Sequence, residues 1–263
     1  MRQNSLPVFR TTMSVNEVIS LQYRNMHRIS FNACLKQRYV EAWCPSELIV
    51  VFSTFRRIQL GSPLLSKSLQ SRYNIQNYMG RQKSLTVNMR TILIDWIVEV
   101  HKKFRLVPDV LYLCVNIVDR YLSQVQVARK RLQLVGITSL LIACKYEEIY
   151  PPEVRDCVYV TDRAYTRQEV LDMEVEILKE LGFRISVPTS YPFLQRFLFI
   201  TDASPTMKIA ASYYLERVLQ EYDLIDYRPS VIAAAAVCLS LNHTEIRAAD
   251  GVEGSLPRVV SDF

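Results

Sequence analysis

The residues best able to do chemistry are the cysteines and histidines, and neither type has the spacing of a reactive or metal-binding site. The six cysteines include no C-x-x-C pair, and the three histidines have no ligand-like spacing to any cysteine. They are Cys34, Cys44, Cys114, Cys144, Cys157, Cys238, His27, His101 and His243. Three of the cysteines fall in apolar helical runs, as reduced core residues of an intracellular protein do. No metal or other cofactor is expected.

The sequence also lacks the motifs of a catalytic centre. It has no glycine-rich phosphate loop and no nucleophile elbow, so an enzyme is not expected. The first residues do not have the pattern of a signal peptide, and the uncharged run 229–243 is too short to span a bilayer. These observations predict a soluble protein that is not secreted.

A short motif in the first part of the chain could direct degradation. Arg57 to Gly61 has the form R-x-x-L-G, in which Arg57 and Leu60 are the defining residues of a candidate degron. Seven arginines precede Leu60, so one such match is close to what chance delivers. The degron therefore stays a hypothesis.

One segment, Met89 to Val100, has more apolar surface than a surface helix needs. On a helical wheel its apolar residues span roughly 240°, whereas the core-facing stripe of a surface helix spans roughly 100°. Periodicity leaves two interpretations open. The helix could lie in the centre of a bundle, or it could keep the stripe Met89, Leu93 and Trp96, spaced i, i+4, i+7, for a partner.

The positive charge is concentrated at the start of the chain. Residues 1–72 contain 10 Lys/Arg and 3 Glu, so their net charge is +7. Residues 73–263 contain 22 basic and 23 acidic residues, so their net charge is −1 and that of the whole chain is +6. A nucleic-acid-binding protein usually has a basic face. The balanced body argues against nucleic acid as the main partner, although a local basic patch could lie within a neutral total.

From Tyr73 onward the hydrophobic pattern predicts an all-α fold, because glycine is scarce and the apolar residues recur with helical spacing. Thr86 is a candidate N-cap, and Thr166 to Glu169 form a candidate capping box. Asp119 and Arg120 are expected to face solvent. The predicted helices are Thr86–Phe104, Val110–Ser123, Lys130–Glu148, Glu153–Val160, Thr166–Leu181, Thr189–Ile200, Ser204–Tyr222 and Pro229–Asn242. The expected domains are a disordered basic head (1–72), a five-helix box (73–187), a partial second box (188–242) and an unstructured tail (243–263).

Four blocks of sequence resemble the cyclin family, and within it the B-type mitotic cyclins. They are Met89-Arg90-Thr91-Ile92-Leu93-Ile94-Asp95-Trp96, Leu132-Gln133-Leu134-Val135-Gly136, Lys145 to Val154, and Met173-Glu174. The resemblance implies two five-helix boxes that bind a cyclin-dependent kinase and position its regulatory helix for phosphoryl transfer.

The resemblance also assigns residues. It implies that Lys145 and Glu174 hold the kinase helix, and it places Tyr146, Glu147 and Ile149 on the same kinase-binding surface. It further implies that an exposed stripe docks R-x-L motifs of substrates or inhibitors. The implied docking residues are Met89, Ile92, Leu93, Trp96, Glu99, which would take the arginine, and Gln133, which would take the peptide backbone.

Two features depart from the family pattern. Residues 40–72 do not resemble the helix that usually precedes the first box, and the second box has only three of five helices. The resemblance therefore implies a cyclin shortened in its second box, in which apolar faces of Pro229–Asn242 lack cover. The expected function is kinase activation with substrate docking, in the nucleus and cytoplasm and with no membrane or direct nucleic-acid partner. The alternatives are a fragment that binds the kinase without activating it, and a transcription factor of the cyclin fold.

Overall fold

The computed structural model describes residues 75–249, with side chains described as far as residue 241. Within that part of the chain all regular structure is helical, as predicted. The eight α-helices are α1 (Val87–Phe104), α2 (Pro108–Gln124), α3 (Leu132–Glu147), α4 (Val154–Val160), α5 (Arg167–Glu180), α6 (Ser190–Ile200), α7 (Pro205–Gln220) and α8 (Pro229–Ala249). The expected disordered head and its degron residues, Arg57 and Leu60, lie outside the described residues.

The predicted helix starts are confirmed where a side chain caps the helix. The Thr86 hydroxyl accepts the backbone N–H of Met89 at the start of α1. At the start of α5 the backbone N–H of Glu169 donates to Thr166 Oγ1 over 3.2 Å, and the backbone N–H of Thr166 donates to Glu169 Oε2 over 2.8 Å. This reciprocal capping box satisfies donors that a helix leaves unpaired at its N-terminus.

Helix α3 is the central helix of the first box. Its residues from Leu134 to Cys144 are all buried, and α1, α2, α4 and α5 each pack against it. Gly136 allows α1 to approach closely, because a Cβ atom there would lie only 2.7 Å from Leu93 Cδ1. The prediction that this helix is the centre of the bundle is therefore confirmed.

The second group of helices is α6, α7 and α8, which pack against one another. Helix α8 continues to Ala249, so the prediction of an unstructured segment from residue 243 is wrong for residues 243–249. The expectation of an uncovered apolar face is also wrong for Ala233 to Cys238. Five of these six residues are buried, because small alanine side chains let α6 and α7 pack closely against α8.

A buried ion pair joins α1 to α2 beneath the second helical group. Arg90 donates to both carboxylate oxygens of Asp119 at 2.7 Å, and both side chains are almost fully buried. Arg90 also donates to the backbone carbonyl of Leu219 at the end of α7, and its guanidinium lies over the ring of Tyr222. The expectation that Asp119 and Arg120 face solvent is therefore wrong, since each is less than 8% exposed.

A segment ahead of α1, residues 75–82, forms a strap across both helical groups. The Tyr78 hydroxyl donates to Asp119 over 2.8 Å, and the backbone N–H groups of Tyr78 and Met79 both donate to the Tyr222 hydroxyl over 2.7 Å. That hydroxyl in turn donates to Asn77 Oδ1. Burial and the charge of Asp119 raise the pKa of Tyr78, so its hydroxyl stays protonated as a donor.

Two classes of site are missing from the described part of the chain. None of its helices combines the length and the apolar composition that a bilayer-crossing segment requires. Nor does it contain a group of three or more His, Cys, Asp or Glu side chains that could hold a metal ion.

Candidate functional site

The first candidate site is an ion pair at the surface of the first box. Lys145, in the last turn of α3, donates from Nζ to both carboxylate oxygens of Glu174 on α5, at 2.6 and 2.8 Å. The Lys145 side chain is 45% exposed, and that of Glu174 is 12% exposed. An ammonium group has three N–H donors, so one remains for a partner. The structure thus brings together the two charged residues singled out by the resemblance.

Exposed apolar side chains follow Lys145 closely along the chain. Tyr146 is 51% exposed and Ile149 is 85% exposed, while Glu147 also lies at the surface. Partial burial, together with the charge of Asp109, raises the pKa of the Glu147 carboxyl. Aromatic and aliphatic residues around a charge pair are typical of the core of a protein interface.

Two further residues of this surface were not singled out from the sequence. Tyr150 is 90% exposed and Val175, next to Glu174, is 49% exposed. Tyr150 lies within the Lys145–Val154 block, so the block itself could have identified it. Val175 could have been found because it is an apolar residue off the inward-facing side of α5. We refer to Lys145, Tyr146, Ile149, Tyr150, Glu174 and Val175 as the paired-charge surface.

Local contacts at both ends hold the turn that contains residues 146–150. Glu148 ends α3, and its carboxylate accepts the backbone N–H of Val107 at 2.7 Å, which ties this turn to the α1–α2 connection. The prolines Pro151 and Pro152 stop the helical pattern. The backbone N–H of Glu153 then donates to Asp156 Oδ2 at the start of α4. The exposed residues are therefore held between two fixed helix ends.

The cysteines near this surface are not reactive groups. Cys144 precedes Lys145 and Cys157 lies on α4, and both are buried. Burial raises the pKa of each thiol to about 12, so neither forms a thiolate at neutral pH. The sequence-based interpretation of these cysteines as core residues is confirmed.

The second candidate site is the stripe on α1, and here the structure corrects one expectation. Leu93 is only 5% exposed and belongs to the core, so the prediction of an exposed stripe is wrong at this position. Met89 and Trp96 are half-buried and pack against the same core. Leu93 is buried because Gly136 has no side chain, which leaves space for Leu93 to pack against α3.

The other residues expected to dock a peptide remain accessible. Ile92 is 44% exposed and Glu99 is exposed, while Gln133, in the first turn of α3, is half-buried. Glu99 takes part in no ion pair among the described residues. A surface with one accessible aliphatic residue, a half-buried Trp and Met, and a neighbouring carboxylate could take a basic and hydrophobic peptide.

Replacing Gly136 tests how tightly α1 and α3 set this stripe. In G136A the new methyl group would overlap Leu93, so Leu93 must move and disturb Met89 and Trp96 beside it. We expect a loss of about 1–3 kcal/mol in unfolding free energy, the usual cost of overpacking a core. Chemical denaturation measures this loss. Serine substitution at the exposed Gly80, where a Cβ meets nothing within 4 Å, is the control and should cost far less.

Two family models match the chain. The model for the cyclin N-terminal domain matches residues 64–186, and the model for the cyclin C-terminal domain matches residues 188–251. Together they cover well over half of the chain. The first contains the paired-charge surface and the α1 stripe, and the second contains α6 to α8.

Similar proteins among curated sequences include mitotic cyclins. Cyclin-B2-2 of Arabidopsis thaliana is 50% identical over 161 residues, which cover 61% of this chain and 38% of that protein. The G2/mitotic-specific cyclin-B2 of Gallus gallus is 45% identical over 177 residues, which cover 67% of this chain and 44% of that protein. The chain therefore spans less than half the length of these relatives.

Solved structures show the same fold. A viral cyclin from herpesvirus saimiri superimposes with a TM-score of 0.61 at 25% identity, covering 68% of this chain and 82% of that chain. A chain of the yeast RNA polymerase II CTD kinase CTDK-1 complex gives a TM-score of 0.53 at 13% identity, which indicates a shared fold. With both domain models matched and the helical arrangement shared, this chain belongs to the cyclin family.

Proposed function

We propose that this chain is a regulatory subunit that binds and activates a cyclin-dependent serine/threonine kinase during mitosis. The observation that carries the proposal is the Lys145–Glu174 ion pair, set among exposed apolar residues where α3 meets α5. The names of the mitotic cyclins among its relatives support the timing. As a cyclin, the chain is a regulator and not itself the enzyme.

The geometry suggests how the paired-charge surface would act on a kinase. Tyr146, Ile149 and Tyr150 would bury apolar surface of the regulatory helix of the kinase. The remaining N–H of Lys145 and the free lone pairs of Glu174 would bond the backbone of that helix. Protein kinases need this helix in place to complete their Lys–Glu ion pair, so its capture would switch on phosphoryl transfer.

A second part of the proposal concerns substrates. The stripe formed by Met89, Ile92 and Trp96, with Glu99 and Gln133 beside it, would dock R-x-L motifs of substrates or inhibitors. Exposed Glu99 could accept a bidentate bond from the motif's arginine, and Ile92 offers accessible apolar surface to its leucine. We propose that the chain acts in the nucleus and cytoplasm, where it would encounter a mitotic kinase.

The direct test is a pull-down of the full chain with a mitotic cyclin-dependent kinase, followed by phosphorylation of histone by the complex. Binding together with histone phosphorylation is the expected result. Binding without phosphorylation would favour the alternative, a cyclin fragment that competes for kinase without activating it. Failure to bind would overturn the proposal.

A further inference from the structure

A group of basic residues that form no ion pair within the described part of the chain lies beside the proposed docking stripe. Arg129 and Lys130 form part of a 3-10 helix immediately before α3, so they lie within one turn of Gln133. Arg81 and Lys83 flank Gln82, the last residue of the strap ahead of α1. We refer to Arg81, Lys83, Arg129 and Lys130 as the basic cluster. All four side chains belong to exposed residues.

Gln82 holds the two halves of the basic cluster together. Its Nε2 donates to the carbonyls of Leu122 and Val125 at 2.7 and 2.6 Å, and its Oε1 accepts the backbone N–H of Val127 at 3.1 Å. The segment with Arg81 and Lys83 is thereby fixed to the loop that leads into Arg129. Because buried Gln82 makes these three bonds, the two backbone segments that carry the basic cluster are held side by side.

None of the four cations of the basic cluster forms an ion pair within the described residues. Residues 79–86 and 125–131 contain five basic residues and no Asp or Glu. Only Arg131 of these five forms an ion pair, with Glu176 on α5 at 2.8 Å. Four exposed cations without an ion-pair partner in the described part of the chain attract anionic groups, most strongly at low salt.

The polarity of α1 indicates which part of a docked peptide would meet this charge. Glu99 lies ten residues after Met89, about 15 Å along the helix axis. The basic cluster lies toward the opposite, N-terminal end of α1, because Lys83 precedes the first residue of α1 by four positions and Gln82 bonds the loop that leads into Arg129. A peptide with its arginine at Glu99 and its leucine toward Met89 therefore continues, after the leucine, toward the basic cluster.

We infer that the basic cluster selects docking segments that have anionic side chains on the C-terminal side of the R-x-L motif. An extended peptide advances about 3.3–3.6 Å per residue, so positions a few residues after the leucine reach the cluster. The inference deepens the proposed docking function and rests on it. A peptide is favoured over nucleic acid because the cluster holds only four charges and borders an apolar stripe with a carboxylate.

Fluorescence polarisation with three labelled peptides tests this inference on the full chain. One peptide has an R-x-L motif with neutral flanks, one has three Asp or Glu residues after the leucine, and one has the same three residues before the arginine. We expect the second peptide to bind about tenfold more tightly than the first at low salt, with the gain shrinking as salt rises. The third peptide should show no such gain.

Matched variants assign the gain to the basic cluster. The double variant R129Q/K130Q should remove most of the gain and leave the neutral peptide unchanged. Changing two exposed cations elsewhere, in K179Q/K208Q, should preserve it. Equal binding of the first two peptides to the wild-type chain would overturn the inference, as would a gain that survives in R129Q/K130Q.

Failure of the docking proposal has a different signature. If neither the neutral nor the acidic-flanked peptide binds, the docking half of the proposed function is wrong, whatever the kinase pull-down shows. A single-stranded oligonucleotide provides the remaining comparison. Tighter binding of the oligonucleotide than of the acidic-flanked peptide, lost in R129Q/K130Q, would overturn the inference in favour of nucleic acid.

Discussion

Substituting glutamate for Lys145 is expected to abolish capture of the kinase at concentrations where the wild-type chain binds fully. K145E replaces the exposed ammonium with a second carboxylate beside Glu174, whose side chain is only 12% exposed. Truncating a charged group that is hydrogen-bonded and buried at an interface costs about 2–5 kcal/mol, which corresponds to a loss of at least about 30-fold in affinity. Surface plasmon resonance with immobilised kinase measures this loss.

The charge-swapped variant K145E/E174K distinguishes contact with the kinase from support of the fold. The swap keeps an ion pair between α3 and α5, so it should restore stability if the single change lowers it. It should not restore kinase binding, because the donor and acceptor have exchanged places. Recovery of binding in the swapped variant would show that the pair acts only within this chain. R155E, at an exposed site on α4 that already pairs with Glu153, is the control for added negative charge.

The largest loss of stability is expected from removing the carboxylate of Asp119. In D119A the buried Arg90 guanidinium keeps only the Leu219 carbonyl as an acceptor among its hydrogen bonds, and Tyr78 loses the acceptor of its hydroxyl. Breaking one partner of a buried ion pair costs about 3–5 kcal/mol, because the other charge stays buried without compensation. Urea denaturation followed by circular dichroism measures the change in unfolding free energy.

Replacing both charged residues by apolar ones separates two contributions to the unfolding free energy: the penalty of leaving one buried charge unpaired and the stabilisation by the intact ion pair. R90M/D119L removes both charges and fills similar volume, so it should be more stable than D119A. If D119A and R90M/D119L lose the same free energy, the pair itself stabilises the fold and the orphaned charge is not the cause. E153Q, which weakens the exposed Arg155–Glu153 pair, should change stability by less than about 1 kcal/mol.

Local sequence signals predicted the helices well, because helix formation and capping depend mainly on residues that are close together in the sequence. The Thr166–Glu169 capping box joins residues three positions apart, so it can be recognised without knowing the rest of the fold. The end of α8 was predicted less well, because that prediction relied on amphipathic spacing. Residues 244–249 are rich in helix formers, and propensity alone lets the helix continue to Ala249.

Long-range pairings could not be predicted in the same way. Asp119 follows an apolar run on α2 and looks like a solvent-facing charge until Arg90, 29 residues earlier, is placed against it. The apolar residues of α1, Leu93 among them, span too wide an arc of the helix to face a single neighbouring helix. A helical wheel does not show which part of that arc packs against α3. The Lys145–Glu174 pair was identified through the family resemblance, since helix periodicity alone gives each residue the appearance of a solvated charge.

The hydroxyl of Tyr222, which follows α7, binds the strap ahead of α1, so it links parts of the chain that a cut between the two boxes would separate. That single oxygen accepts two backbone N–H groups from the strap and donates to Asn77, while the Tyr222 ring lies under Arg90. Cutting the chain between the two boxes, near residue 187, would leave Arg90 without the Leu219 carbonyl and two strap amides without an acceptor. We therefore expect the first half to be less stable alone than in the whole chain, and a split-protein reporter built at that junction should regain these contacts only when both halves are present together.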